Sequence, residues 1–90
     1  MVKEDIKPID EGKNLLENNW DLILYNDDIN TFEFVIDSLI EVCEHELHQA
    51  EQCAYLAHYK GKCQVKEGNF SELKPRYDEM IRRGLTVSIE

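Results

Sequence analysis

Basic side chains, helix breakers and cysteine are all scarce in this chain of 90 residues. Ten Lys and Arg stand against nineteen Asp and Glu, a formal net charge of −9. A surface with that balance repels phosphate backbones and anionic headgroups, which argues against nucleic acid and membrane surfaces as partners. No uncharged stretch approaches the roughly 18 apolar residues that a membrane helix needs, and the opening MVKEDIKPID has no apolar signal core. A soluble cytoplasmic protein is expected. Cys43, Cys53 and Cys63 are odd in number and come without a secretory signal, a pattern of free thiols in a reducing compartment. With 42% hydrophobic and 32% charged residues, the chain holds apolar material for one small core.

Residues 1–19 carry only scattered apolar side chains and are expected to form an extended, mobile arm, leaving 20–90 as the core domain. Trp20-Asp21-Leu22-Ile23-Leu24-Tyr25 is rich in aromatic and aliphatic residues and stops at the turn-forming Asn26-Asp27-Asp28-Ile29-Asn30, so a strand and then a polar loop are predicted. Phe32, Val35, Ile36, Leu39, Val42 and Cys43 come next at helical spacing, with Asn30 and Glu33 placed as a capping box and Thr31 as the competing N-cap. No Gly or Pro interrupts the chain from there to Gly61. A single helix over 32–60 would run to roughly 43 Å, too long for so small a domain, so a break is expected in the polar section Glu44 to His48.

The second helix would carry small residues, Ala50, Cys53, Ala54 and Ala57, toward its neighbours and end on Gly61 as a left-handed cap. A short strand over 62–66 and a turn at Gly68 lead to a third helix with Phe70, Leu73, Tyr77, Met80 and Ile81 on one side. Either Asn69 or Ser71 can cap it; an Asn69 cap puts Pro75 inside the helix and predicts a kink. Gly84 ends that helix, and Leu85 to Ile89 alternates as a half-buried strand. The fold class is therefore α+β, a two-layer sandwich: a small three-stranded antiparallel sheet with three helices on one face, in the order β-α-α-β-α-β.

Three candidate chemistries can be weighed. His45 and His48, at i,i+3, together with a thiol would suit zinc, but no C-x-x-C pair exists and the three cysteines are spaced ten apart, as buried small thiols with surface imidazoles would be. Cys53 and His58 lie on different helix faces with no oxyanion-binding turn nearby, and the glycines fit neither a P-loop nor a dinucleotide fingerprint. No catalytic residue, metal or cofactor is assigned. What remains is Asn26-Asp27-Asp28 directly after a strand, and His58 late in the second helix. By residue type alone an ordinary turn accounts for the former.

The stretch Leu24-Tyr25-Asn26-Asp27-Asp28-Ile29-Asn30-Thr31-Phe32-Glu33-Phe34-Val35 resembles the signature N-D-D-x-T-P-M-E-F-V of the ClpS family, bacterial adaptors of the Clp ATP-dependent proteases. Ala50 to Lys62, AEQCAYLAHYKGK, is similar to that family's A-x-x-x-x-x-x-x-H-Y-x-G-K segment, and Glu72-Leu73-Lys74 and Leu85 to Glu90 also align. The resemblance implies a non-enzymatic adaptor. It would recognise proteins beginning with Leu, Phe, Tyr or Trp, the N-end rule degrons, and deliver them as a monomer to the N-terminal domain of a Clp AAA+ unfoldase.

Carried over residue by residue, the resemblance assigns the substrate α-amino group to Asn26, Asp28 and His58, joined by Asp27, which supports the loop or adds its field to the amine site. An amide oxygen, a carboxylate and a neutral imidazole nitrogen offer three acceptors to an ammonium's three donors. It assigns the first side chain to a pocket of Leu24, Asn30, Phe32, Val35, Ala54, Ala57 and Leu85. The family's usual methionines are replaced here by Phe32 at the pocket mouth and Ala54 in its wall, a bulkier gate and a smaller wall whose volumes partly cancel. Lys74 and Tyr59 are implied to dock the unfoldase, and residues 1–19 to engage its pore. Two other readings compete: an interaction module like the ribosomal stalk protein's C-terminal domain, which lacks the paired NDD and His, and a small zinc-binding protein.

Overall fold

The computed structural model describes residues 19–90; apart from Asn19, the arm expected over 1–19 lies outside the described residues. The elements are β1 (Trp20–Tyr25), α1 (Phe32–Cys43), α2 (Leu47–Lys60), β2 (Lys62–Gly68), α3 (Phe70–Arg82) and β3 (Val87–Ile89). β1 is the central strand, antiparallel to β2 on one side and β3 on the other. The helices cover one face. From that face Leu22 and Leu24 of β1 meet Leu39 and Cys43 of α1, Ala50 and Ala57 of α2, and Leu73 and Met80 of α3 in one core. Burying a leucine- or methionine-sized side chain there stabilises the fold by about 1.5–3 kcal/mol each.

The break expected between α1 and α2 falls at Glu44, which takes the left-handed conformation (φ 62°) that usually selects glycine. Its neighbours hold it there. The His45 N–H donates to Leu39 O at 3.2 Å, the buried His45 ring donates from Nε2 to Val65 O at 2.6 Å, and the Glu44 carboxylate lies 3.6 Å from Lys66 and 3.7 Å from Arg76. His45 is therefore no surface imidazole: the turn folds it against β2. Gly61 ends α2 in the left-handed region, as its position predicted.

Tertiary contacts decide between the caps that the sequence left open and shift several other boundaries. Thr31, not Asn30, caps α1, accepting the Phe34 N–H at 3.1 Å, because the Asn30 amide is committed to Asp27 and to Gly84 O. Asn69 caps α3, accepting from the Glu72 N–H at 2.7 Å, so Pro75 does stand inside the helix and leaves one carbonyl without its usual donor. Ile81 is 46% exposed rather than on the buried side, since Met80 takes the core position next to it. β2 runs on to Gly68, beyond the expected Lys66, by pairing with Trp20 and Asp21. The last strand is shorter than expected, Val87–Ile89, although Thr86 O still accepts the Tyr25 N–H at 2.8 Å.

Among the described residues no helix is long and apolar enough to cross a membrane.

Candidate functional site

β1 delivers the chain to the site. At its end the Asn26 N–H donates to Gly61 O at 3.0 Å, tying the start of the loop to the turn that closes α2. The same turn is set by the Gly61 N–H on Ala57 O, also at 3.0 Å, so Asn26 and the last turn of α2, which carries His58, are fixed with respect to each other.

Asp27 organises the rest of the loop. Its carboxylate accepts the Ile29 N–H at 3.0 Å, the Asn30 N–H at 2.9 Å and the Asn30 amide at 3.0 Å, an Asx-type turn with every bond directed at one side chain. Burial pushes this carboxyl up, but the hydrogen bonds from the Asn30 backbone, the Asn30 amide and the Ile29 backbone outweigh it and hold it below the usual carboxylate range. Asn30 then reaches Gly84 O at 3.0 Å, locking the loop to the turn between α3 and β3. Asp28 is left exposed on the loop's outer side.

Between this loop, α1 and α2 lies a cavity of about 40 Å³. Leu24, Val35, Ala54 and Ala57 give it apolar walls, while Asn26, Asp27, Asn30 and His58 ring it with polar groups. Phe32 and Tyr25 complete the lining. A wider groove of about 260 Å³ opens outside it, lined by Asp27, Asp28, Asn30, Phe32 and His58. His58 and Phe32 thus face both spaces, whereas Asp28 faces only the outer one. Chemically, this is an acceptor-rich rim above a small apolar hollow. It suits a group that is cationic at one end and apolar at the other.

Of the pocket residues the sequence singled out, Leu24, Asn30, Phe32, Val35, Ala54 and Ala57 do line the cavity. Leu85 does not. It is 3% exposed within the core cluster, because its N–H bonds to Met80 O and turns it under α3. Tyr25 is a lining residue the sequence reading missed; strand alternation puts it opposite Leu24, but at the strand's end it still borders the hollow, with its hydroxyl donating to Glu90. Tyr55 was missed as well. It stacks on Phe32 (centroids 6.0 Å apart) and meets Tyr59 edge-on at 4.7 Å, an i,i+4 pair whose common face is readable from spacing.

Of the two docking candidates, Lys74 sits apart from the cavity and Tyr59 beside it. Lys74 binds Asp78 at 2.9 Å and lies 5.8 Å above the Tyr77 ring. It borders a shallow apolar groove with Phe70 and Ile89. Tyr59 is 65% exposed next to His58.

The thiol and imidazole groups form no ligand set: among the described residues no three His, Cys, Asp or Glu side chains gather as a metal site. His45 is inside and His48 outside. All three cysteines are buried and free. Burial pushes the Cys43 thiol up to about 11, and burial with the neighbouring Cys63 thiol pushes Cys53 up to about 12, so both stay protonated and are poor nucleophiles.

Comparison with known proteins gives this geometry a context. The chain is 33% identical over 75 residues to the ATP-dependent Clp protease adapter protein ClpS of Erwinia tasmaniensis, covering 81% of this chain and 63% of that protein. Its fold matches the structure of Agrobacterium tumefaciens ClpS2 bound to L-phenylalaninamide, with a TM-score of 0.69 over 82% of this chain and 96% of that one, at 22% identity. The profile of the family described as ATP-dependent Clp protease adaptor protein ClpS matches residues 16–88, and the chain belongs to that family.

Proposed function

We propose that this chain is a non-enzymatic adaptor of a Clp protease, which binds proteins by their first residue and hands them to a ClpA- or ClpC-type AAA+ unfoldase acting with ClpP in the cytoplasm. The recognised residues are N-terminal Leu, Phe, Tyr and Trp. Asn26, Asp28 and His58 accept hydrogen bonds from the substrate's α-ammonium, and the first side chain enters the hollow walled by Leu24, Val35, Ala54 and Ala57. Asp27 holds the loop through its bonds to Ile29 and Asn30 and adds its negative field beside the ammonium. Lys74 and Tyr59 belong to the surface that meets the N-terminal domain of the unfoldase.

The observation that carries this reading is the arrangement of acceptors above an apolar hollow. Charge-assisted bonds to an ammonium contribute about 1.5–3 kcal/mol each, and burying one aliphatic side chain adds about as much, which together reach the micromolar range. Neither half suffices alone. The ligand named with the Agrobacterium structure, L-phenylalaninamide, has the same two features, a free α-amino group and an apolar side chain.

The test is binding of a Leu-initiated peptide to Asp28→Ala and His58→Ala. Each substitution is expected to weaken binding about tenfold or more with the thermal transition unchanged, since both side chains are solvent-facing. Unaltered affinity in both variants would remove the assigned roles.

A further inference from the structure

Tyr55 and Tyr59 stand one turn apart on the outer face of α2, 58% and 65% exposed, and their rings meet edge-on at 4.7 Å. Neither lines the cavity, but each touches a residue that does. Tyr55 stacks on Phe32, with centroids 6.0 Å apart and planes 26° apart, and Tyr59 meets His58 at 4.6 Å. Phe32 and His58 meet in turn at 5.3 Å, so the four rings form a closed circuit that starts in the site and ends in solvent.

The mouth of the site therefore has two unlike rims. On the loop side the outer groove is bordered by Asp27, Asp28 and Asn30, where an apolar side chain would strip water from carboxylates and gain no dry surface. On the α2 side the rim is aromatic. A substrate held by its ammonium at Asn26, Asp28 and His58 has its second Cα about 3.8 Å from its first. The second side chain thus starts within reach of the rings that touch His58 and Phe32.

We propose that Tyr55, braced by Phe32 and Tyr59, is a shelf for the side chain of the substrate's second residue and selects a planar aromatic group there. This rests on the function proposed above and extends the recognised element from one residue to two. An aromatic side chain can lie along the exposed Tyr55 ring and gains a ring–ring attraction that an aliphatic one lacks. Because Tyr55 already rests against two rings, it has little rotamer freedom left to lose when a ligand arrives.

The experiment is a titration of three peptides that all begin with Leu and differ only in the second residue, Ala, Leu or Trp, with the Nα-acetyl form of the Leu-Ala peptide as control, against the full chain, Tyr55→Ala and Tyr55→Phe. The full chain should bind the Leu-Trp peptide about three- to tenfold tighter than the Leu-Ala peptide, with Leu-Leu between them. Tyr55→Ala should bring the Trp-to-Ala ratio close to one, and Tyr55→Phe, which keeps the ring, should preserve it. The Tyr55 side chain is exposed, so the fold is not at stake; unchanged thermal transitions verify this. A ratio near one in the full chain, a ratio that Tyr55→Ala leaves unmoved, or a second Leu that gains as much as Trp would overturn the proposal. Equal binding of the three free-amine peptides with none of the acetylated one would overturn this proposal alone; no binding by any of them would overturn the underlying function too.

Discussion

The Asp27 carboxylate holds Asn30 by two bonds at once, accepting its backbone N–H at 2.9 Å and its side-chain amide at 3.0 Å. Since the same amide also donates to Gly84 O, a single carboxylate ties the loop after β1 to the turn before β3. Asn30, at the entry to α1, is thus part of a tertiary clamp rather than a helix cap.

Removing the carboxylate breaks that clamp. Asp27→Ala should cost about 1 kcal/mol of stability, a value discounted for the loop's solvent exposure. It should also weaken peptide binding, because Asn26 and Asp28 lose their fixed spacing. Chemical denaturation and titration on one preparation check both; loss of stability with no change in affinity would show that the loop's rigidity plays no part in binding.

Acid should loosen the far end of α3. The Arg82 and Arg83 side chains donate to the Glu79 carboxylate and hold it down to about 2, from an ordinary value of 4.5. A carboxyl lowered on folding stabilises fully above its unfolded value and loses that contribution as pH falls through the folded one. Glu79→Gln should therefore lower the Tm at pH 7, and the difference from the unaltered chain should shrink below pH 4.5 and vanish near 2. A difference that stays constant over that range would show that charge on Glu79 does not support the fold.

The cysteines should be silent in the folded protein. Buried thiols raised to about 11 for Cys43 and about 12 for Cys53 present almost no thiolate near neutrality. A thiol-specific disulfide reagent at about pH 7.5 should label neither of them until denaturant is added, after which all three cysteines react. Rapid labelling of the native protein at Cys43 or Cys53 would contradict their burial.

Docking should separate from recognition. Lys74 stands in another region from the cavity, paired with Asp78 at 2.9 Å. Lys74→Glu should weaken capture of the unfoldase N-terminal domain about tenfold while leaving peptide affinity unchanged. Equal capture by both forms, measured by surface plasmon resonance, would take Lys74 out of the interface.

Much of the fold was legible in the sequence where local chemistry decides. The run from Trp20 to Tyr25, the polar break near Glu44 and the small-residue face of α2 each arise from side chains that neighbours in sequence can explain. What was not legible depends on distant partners. Asn30 is a good cap by type, and only its bond to Gly84 O, 54 positions away, shows why Thr31 caps instead. His45 reads as a surface residue until β2 brings Val65 O to its ring. Leu85 belongs to the pocket by resemblance, but the turn that bonds its N–H to Met80 O carries it into the core. Within the site, six of the seven expected pocket residues line the hollow. The contacts of the Phe32 ring with His58 and Tyr55 were hidden, because they depend on how α2 packs beside the start of α1.

The most direct measurement compares one Leu-initiated peptide with its Nα-acetyl twin by isothermal titration calorimetry. Acetylation leaves the first side chain as it was and takes away the charge and two of the three N–H donors that Asn26, Asp28 and His58 are held to receive. The free amine should bind at least about a hundredfold more tightly, as the loss of two charge-assisted hydrogen bonds requires. Equal affinity for the two peptides would contradict recognition of a chain's beginning by this site.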